Sequence, residues 1–308
     1  MCCHKDATMS KIKAWISAAR LRTLPLSISG IITASAAALG ANAFNAVVFG
    51  LALATTLGFQ ILSNFANDYG DGVKGTDNKD RVGPARTFQS GLLTAKALKR
   101  GMFVTAAITL LLASLLIFVA FGKEQFVLSV IFFNLGIAAI IAAVTYTVGK
   151  KAYGYRALGD VFVFIFFGLV GVVGCYFLYT QAFDNYIVLP AITIGLLSAA
   201  VLNLNNMRDR LSDAKVNKNT LAVVLGGKAV KLYHALLIGI AFVSALGYFY
   251  LTADDGMDYI PLFAFLPLFL NIITVFKNKE SRLLDPELKK VALSTFLFSV
   301  LFFASNFF

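Results

Sequence analysis

Long apolar stretches alternate with short polar ones along most of this chain. The apolar runs lie at about 24–43, 46–66, 102–121, 126–148, 158–180, 187–205, 230–252, 259–276 and 290–307. Several approach or exceed the ~18–20 residues that a helix needs to cross a bilayer. The pattern predicts an all-α polytopic membrane protein with nine transmembrane helices. Its longest polar connections fall at about 67–100 and 206–229, after the second and sixth runs. Each opens on Asn and Asp and then turns basic, four spans apart. That spacing is consistent with two four-helix halves plus one helix, whose facing ends would bring the two connections together.

Composition supports the same class. The chain has 308 residues, of which 58% are hydrophobic and 14% charged, with a mean hydropathy of +0.78. A soluble protein would carry about a quarter charged residues. Charge placement then orients the spans. Apart from Lys123, every Lys and Arg falls in the N-terminal segment, in an even-numbered connection, or, for Lys231 and Lys290, at the edge of a run bordering one. The opposite side carries Glu124, Asp184, Asp254, Asp255 and Asp258. By the positive-inside rule the N-terminus and both Asp clusters are expected to be cytoplasmic, with the C-terminus outside. The net charge of +11 is therefore a topology signal, and no nucleic-acid partner is expected. The fourth even connection, with Asp285-Pro286, reads as a solvated turn.

Cysteine and histidine add little. Cys175 lies mid-span and reads as a packing residue. His234 falls early in the seventh span, as an interfacial or packing residue. Cys2, Cys3 and His4 precede Met9, a second plausible start, so residues 1–12 are expected to be disordered or a start-site extension. Residues 13–308 then form one integral membrane domain. The first apolar run continues as a span, so it does not read as a cleavable signal.

The chemistry sits in the two clusters. Carboxylates near lipid are expensive and point to function. Asn64, Asn67, Asp68 and Asp71 stand at i, i+3, i+4 and i+7, on one helix face. Asn205, Asp209 and Asp213 form a second such stripe. Both end a span, where carboxylates oppose the helix macrodipole and need a compensating cation. An all-oxygen donor set without nearby His or Cys suits Mg²⁺ and argues against zinc. Asp77 and Asp80 follow the first stripe, with Lys74, Arg81 and Arg86; Arg208, Lys215 and Lys218 accompany the second. Such cations fit a diphosphate that is bridged by metal and departs as an anion. The glycines at 70, 72, 75, 83 and 91 do not form a GxxxxGK[ST] loop, which argues against ATP hydrolysis.

These residues resemble the UbiA superfamily of intramembrane prenyltransferases. Asn67-Asp68-Tyr69-Gly70-Asp71 is similar to its first NDxxD motif and Asp209-Arg210-Leu211-Ser212-Asp213 to its second, DxxxD. The stretch Asn67 to Gly91 resembles the 1,4-dihydroxy-2-naphthoate prenyltransferase branch. So do Ala19 to Pro25, Tyr153 to Asp160, and Asn205 through Ala222. The likeness covers about residues 13–305. One departure concerns the third aspartate of many members, whose place is taken by Gly75, with Asp77 two residues on.

The resemblance implies helices around a central cavity, capped by two cytoplasmic loops. It implies Mg²⁺-dependent transfer of a polyprenyl chain from its diphosphate to 1,4-dihydroxy-2-naphthoate, with loss of CO₂. In that reading Asp68, Asp71, Asp209 and Asp213 are catalytic, and Asn67, Asp77 and Asn205 join them as metal ligands. Lys74, Arg81, Arg86, Arg208, Lys215 and Lys218 would meet the diphosphate. Arg22, Arg86, Arg156 and Arg208 are candidates for the naphthoate carboxylate, Gln89 for a ring hydroxyl, and Tyr153 for the allylic cation. The setting would be a lipid bilayer, with the bacterial inner membrane inferred from the menaquinone role. Other readings are a relative using 4-hydroxybenzoate, homogentisate or haem, a phytyl donor, or a secondary transporter. A transporter should carry its carboxylates deep within broken spans rather than at one face.

Overall fold

The computed structural model describes residues 11–77 and 81–306; Cys2, Cys3, His4, Met9 and Asp80 lie outside the described residues. Lys11 and Ile12, expected to belong to a disordered segment or start-site extension, instead open a short helix, α1 (Lys11–Ala19). Its alanines 14, 18 and 19 are buried, while Ile12 and Ile16 are exposed. The chain then breaks at Arg20, whose φ of 53° is left-handed. Pro25 sits in the first turn of α2 (Leu24–Gly40), where no backbone N–H is needed.

The remaining helices are α3 (Ala46–Val73), α4 (Ala95–Phe121), α5 (Phe126–Thr145), α6 (Gly159–Thr180), α7 (Val188–Lys215), α8 (Leu221–Thr252), α9 (Gly256–Lys277) and α10 (Leu284–Ser305). Counting α1 with α2, nine helices among the described residues are long and apolar enough to cross a membrane. Side-chain caps mark several starts: Asn45 accepts from Val47 N at 2.9 Å, and Thr94 from Ala97 N at 3.2 Å.

Helices α3 and α7 run past their apolar stretches to Val73 and Lys215, so both Asp clusters are helical. Polarity does not stop them, because their polar side chains find partners inside the protein. Helix α8 likewise begins at Leu221, earlier than its apolar run, capped by Thr220 and broken at Gly226 (φ 78°).

Helix α2 holds the bundle together. It packs against α3, α6, α7 and α10, with α4 and α5 beyond α3, and α8 and α9 beyond α7 and α10. Ser29, Gly30, Ala34, Ser35, Ala36 and Ala38 are buried along it. Small residues let backbones approach closely, which is what packing between helices in lipid depends on.

A buried polar chain ties α8, α9 and α10. His234 meets Asn271 at 2.7 Å, and Asn271 Nδ2 donates to Glu287 Oε2 at 2.7 Å. Glu287 in turn accepts from Lys290. His234 is thus a packing residue.

Helix α6 widens into π-type turns over Phe164–Gly174, opposite α7. A Cβ on Gly195 would lie 2.7 Å from Phe164 Cδ2 and 3.0 Å from the Phe164 carbonyl. Gly195→Val should therefore force α6 and α7 apart and lower stability by about 1–3 kcal/mol, as overpacking does. Thermal unfolding in detergent should show a lower midpoint than wild type. Gly239→Ala, where a Cβ meets nothing within 4 Å, should not lower it.

Candidate active site

The last turns of α3 carry the first cluster inward. Asn64, Asp68 and Asp71 are buried, while Asn67 is half-buried and accepts from Thr147 Oγ1 at 3.3 Å. Asn64 Nδ2 donates to the Ala19 carbonyl at 2.8 Å, fixing the break between α1 and α2. That break turns Arg20 onto Asp68, where the two form an ion pair. Asp68 Oδ2 also accepts from the backbone N and Oγ1 of Thr87, at 3.2 and 2.7 Å, and Arg86 lies 3.5 Å away. Asp71 accepts from the Tyr155 hydroxyl at 2.7 Å and from Lys218 Nζ at 3.3 Å.

The segment after α3 crosses to the second cluster. Asp77 pairs with Arg81, and Arg81 reaches Asp209 at 3.6 Å. Gly83 N donates to Asp209 Oδ1 at 3.1 Å. A Cβ at Gly83 would collide with the Arg208 guanidinium, so glycine is what lets this backbone reach Asp209. Lys218, just beyond α7, spans both motifs: its Nζ lies 3.3 Å from Asp71 and 3.9 Å from Asp213. Burial favours the neutral amine, but Asp71 and Asp213 outweigh it and hold Lys218 above its ordinary value. Burial raises the Asp77 carboxyl against the pull of Arg81, and its Oδ2 is buried without a hydrogen-bond partner.

The two stripes therefore form one site, with acids and bases interleaved. Among the described residues no group of three His, Cys, Asp or Glu converges to hold a metal. Arginine and lysine lie between the carboxylates instead. The donor set is nonetheless all oxygen, and Asp77 Oδ2 inside it accepts no hydrogen bond and has only Arg86 Nε at 3.9 Å, which fits a hard divalent cation that takes one or two carboxylates and completes its shell with phosphate and water. A cleft of about 320 Å³ opens beside Asp68, lined by Arg20, Arg22, Arg86, Ile16 and Leu21. Charge and apolar surface meet there, as an amphiphilic anion requires.

With that geometry in place, comparison with known proteins decides the lineage. The profile of the UbiA prenyltransferase family matches residues 28–302. The chain belongs to the UbiA prenyltransferase family. It is 44% identical, over 97% of both chains, to a 1,4-dihydroxy-2-naphthoate octaprenyltransferase of Haemophilus influenzae. A protein of the same description from Escherichia coli is 44% identical over 76% of this chain and 75% of its own. Among solved structures, a digeranylgeranylglyceryl phosphate synthase matches with a TM-score of 0.59 at 15% identity, covering 97% of this chain and 99% of that one. A UbiA homolog from Archaeoglobus fulgidus, bound to DMAPP and Mg²⁺, matches at 0.58 and 17% identity over 93% and 97%. These two likenesses show the UbiA-type helical fold; the family match and the nine long apolar helices among the described residues show an integral membrane protein.

The other expected residues of this UbiA member are placed unequally. Arg22 is exposed at the rim of the cleft, while Arg20, missed in the sequence, holds Asp68. Arg208 is buried and bound to Asn205, Asp209 and Asp285, so it faces the motif rather than open space. The connection expected as a solvated turn is largely exposed, but Asp285 within it opens α10 and pairs with Arg208. Arg156 lines a second cleft of about 420 Å³ with Lys74 and Tyr155. Lys74 Nζ stands 4.0 Å from the Tyr155 ring centroid. Lys215 and Gln89 are exposed, and Gln89 Oε1 accepts from Arg86 N at 3.5 Å. Tyr153 is occupied in packing: its hydroxyl donates to the Ala142 carbonyl, and its ring stacks on Phe162 at 4.0 Å.

Tyr155 is therefore the tyrosine that touches the motif. A hydrogen bond to a charged group contributes about 1.5–3 kcal/mol. Tyr155→Phe should lower kcat/KM roughly tenfold or more, whereas Tyr153→Phe should stay within about twofold of wild type in the same membrane assay. Equal losses would contradict this assignment.

Proposed function

We propose that this protein transfers a polyprenyl chain from its diphosphate to 1,4-dihydroxy-2-naphthoate, a step of menaquinone biosynthesis. The observation that carries the reading is the joining of the two motifs by Lys218, Arg81 and Gly83, within a chain 44% identical to a naphthoate octaprenyltransferase along nearly its whole length. The excess of Lys and Arg on the motif side supports a cytoplasmic site and N-terminus, and the menaquinone role supports a bacterial inner membrane as the setting.

The reaction balances as follows. The allylic carbon–oxygen bond breaks and pyrophosphate keeps its electron pair. The ring carbon bearing the carboxylate bonds to the allylic carbon. The carboxylate departs as CO₂, and its bonding pair restores the aromatic ring. No ring proton has to be removed at that carbon, so no general base is needed there. The product is the naphthalenediol form of demethylmenaquinone.

Asn67, Asp68, Asp71 and Asp77, with Asn205, Asp209 and Asp213, would hold Mg²⁺. When bound, it supplies positive charge to the departing pyrophosphate. Arg81, Arg86 and Lys218 would exchange their carboxylate partners for diphosphate oxygens, adding mobile positive charge at the leaving group. Arg20 and Arg22 at the cleft beside Asp68 are placed to take the naphthoate carboxylate. The isoprenoid tail would follow the apolar interior towards lipid, away from water that would capture the cation.

Membranes containing the protein should convert ring-labelled naphthoate and a polyprenyl diphosphate to a lipid-soluble product when Mg²⁺ is present. EDTA should stop it. Product with 4-hydroxybenzoate or homogentisate but not naphthoate would overturn the acceptor. Asp71→Asn and Asp209→Asn should each leave under about a tenth of the activity, at least the loss typical of removing a partner of a metal ligand, with the protein still folded by circular dichroism although its unfolding midpoint falls as buried cations lose a partner. Asp254→Asn, on the opposite face, should be indistinguishable from wild type.

A further inference from the structure

Arg208 carries a buried positive charge between two residues of the second motif. Its Nη2 donates to Asn205 Oδ1 at 2.6 Å and to Asp209 Oδ2 at 2.8 Å, and its Nε to Asp209 Oδ1 at 3.2 Å. With no other partner, that guanidinium would neutralise Asp209 and close it to any incoming cation. A third contact changes the balance. Nη1 donates to Asp285 Oδ1, from the first turn of α10, and the Asp285 side chain is 43% exposed against 2% for Arg208.

Asp285 is held firmly where it is. It lies between Leu284, which is buried, and Pro286, whose fixed φ suits a helix start. Two residues on, Glu287 anchors the same turn to Asn271 and Lys290, and Asn271 continues to His234 on α8. The polar chain across α8, α9 and α10 therefore fixes the height and rotation of the α10 start, and with it the carboxylate that faces Arg208. Gly83 completes the arrangement, since only a residue without a Cβ leaves room for the guanidinium at this angle.

We propose that Asp285 is a positioning residue for Asp209: it shares the charge of Arg208 and so leaves Asp209 available to the cation that accompanies the diphosphate. The inference rests on the metal-dependent reading above and adds a residue outside both motifs to it. Removing the Asp285 carboxylate would turn the whole Arg208 charge onto Asn205 and Asp209, in direct competition with the metal. Partners one step removed from a metal ligand typically alter affinity by about 10–100-fold.

The test is Mn²⁺ binding in the presence of inorganic pyrophosphate, followed by electron paramagnetic resonance on purified protein in nanodiscs. Wild type, Asp285→Ala, Asp285→Asn and Asp285→Glu are compared, each checked for an unchanged unfolding midpoint. Asp285→Ala and Asp285→Asn should weaken Mn²⁺ binding about tenfold or more, and Asp285→Glu should restore it to within about threefold. The KM for prenyl diphosphate should rise in step, while the KM for the naphthoate stays constant. Wild-type affinity in both Asp285→Ala and Asp285→Asn would overturn the role of Asp285 and leave the metal reading standing. Absence of pyrophosphate-dependent Mn²⁺ binding in wild type would overturn the metal reading, and this inference with it. A uniform rise in both KM values, unrescued by glutamate, would reduce Asp285 to a structural contact.

Discussion

Everything at the site depends on compensating carboxylates that have been taken out of water. Asp68, Asp71, Asp77, Asp209 and Asp213 are all buried, and all but Asp77, which lies just beyond α3, sit at the ends of two helices whose dipoles repel negative charge. An unpaired buried carboxylate would be strongly destabilising. The protein answers with Arg20 between α1 and α2, Arg81 and Arg86 from the loop after α3, Arg208 on α7 and Lys218 just beyond it. That need explains why the loop after α3 folds back over the bundle and why α1 breaks at a left-handed arginine. The same pairs are replaceable: an anion with its own cations can take over the arginines and lysines while the metal takes over the acids.

The fold follows from the same constraint applied to the backbone. In lipid, apolar side chains give helices little reason to prefer one another over the acyl chains, so shape and internal hydrogen bonds decide packing. The small residues of α2 and the glycines between α6 and α7 supply the shape. The chain from His234 to Lys290 supplies a polar fastening between helices that carry few other polar groups. A bundle fixed in this way can hold two distant helix ends at a set separation, across which the long basic loop after α3 is able to reach.

Much of this was legible in the sequence. Apolar runs of sufficient length marked the spans, because a bilayer imposes a length. The Asn and Asp spacing marked both stripes, because the helical period puts i, i+4 and i+7 on one face. What escaped was anything set by distance across the fold. Arg20 and Arg22 look alike in Ala19-Arg20-Leu21-Arg22; only the break at Arg20 decides which turns inward. Arg208 reads as a substrate cation until its three acceptors are seen. Tyr153 and Tyr155 stand two residues apart in a three-residue 3₁₀ helix, so they leave it on different faces, one towards Phe162 and the other towards Asp71. Asp285 lies 76 positions beyond Asp209 in sequence, and no local pattern links them. Periodicity reports which face a residue occupies, but not which neighbour meets that face.

The central claim is that the two motifs form one polyanion site rather than two independent ones. The most direct measurement is binding of a non-reactive prenyl thiolodiphosphate with Mg²⁺ to wild type, Asp71→Asn, Asp209→Asn and the double variant. A shared site predicts that either substitution removes most of the binding and that the second adds little, a coupling of about 0.5–3 kcal/mol between the positions. Free-energy losses that simply add would contradict it, and would mean that the two motifs bind their ligands separately.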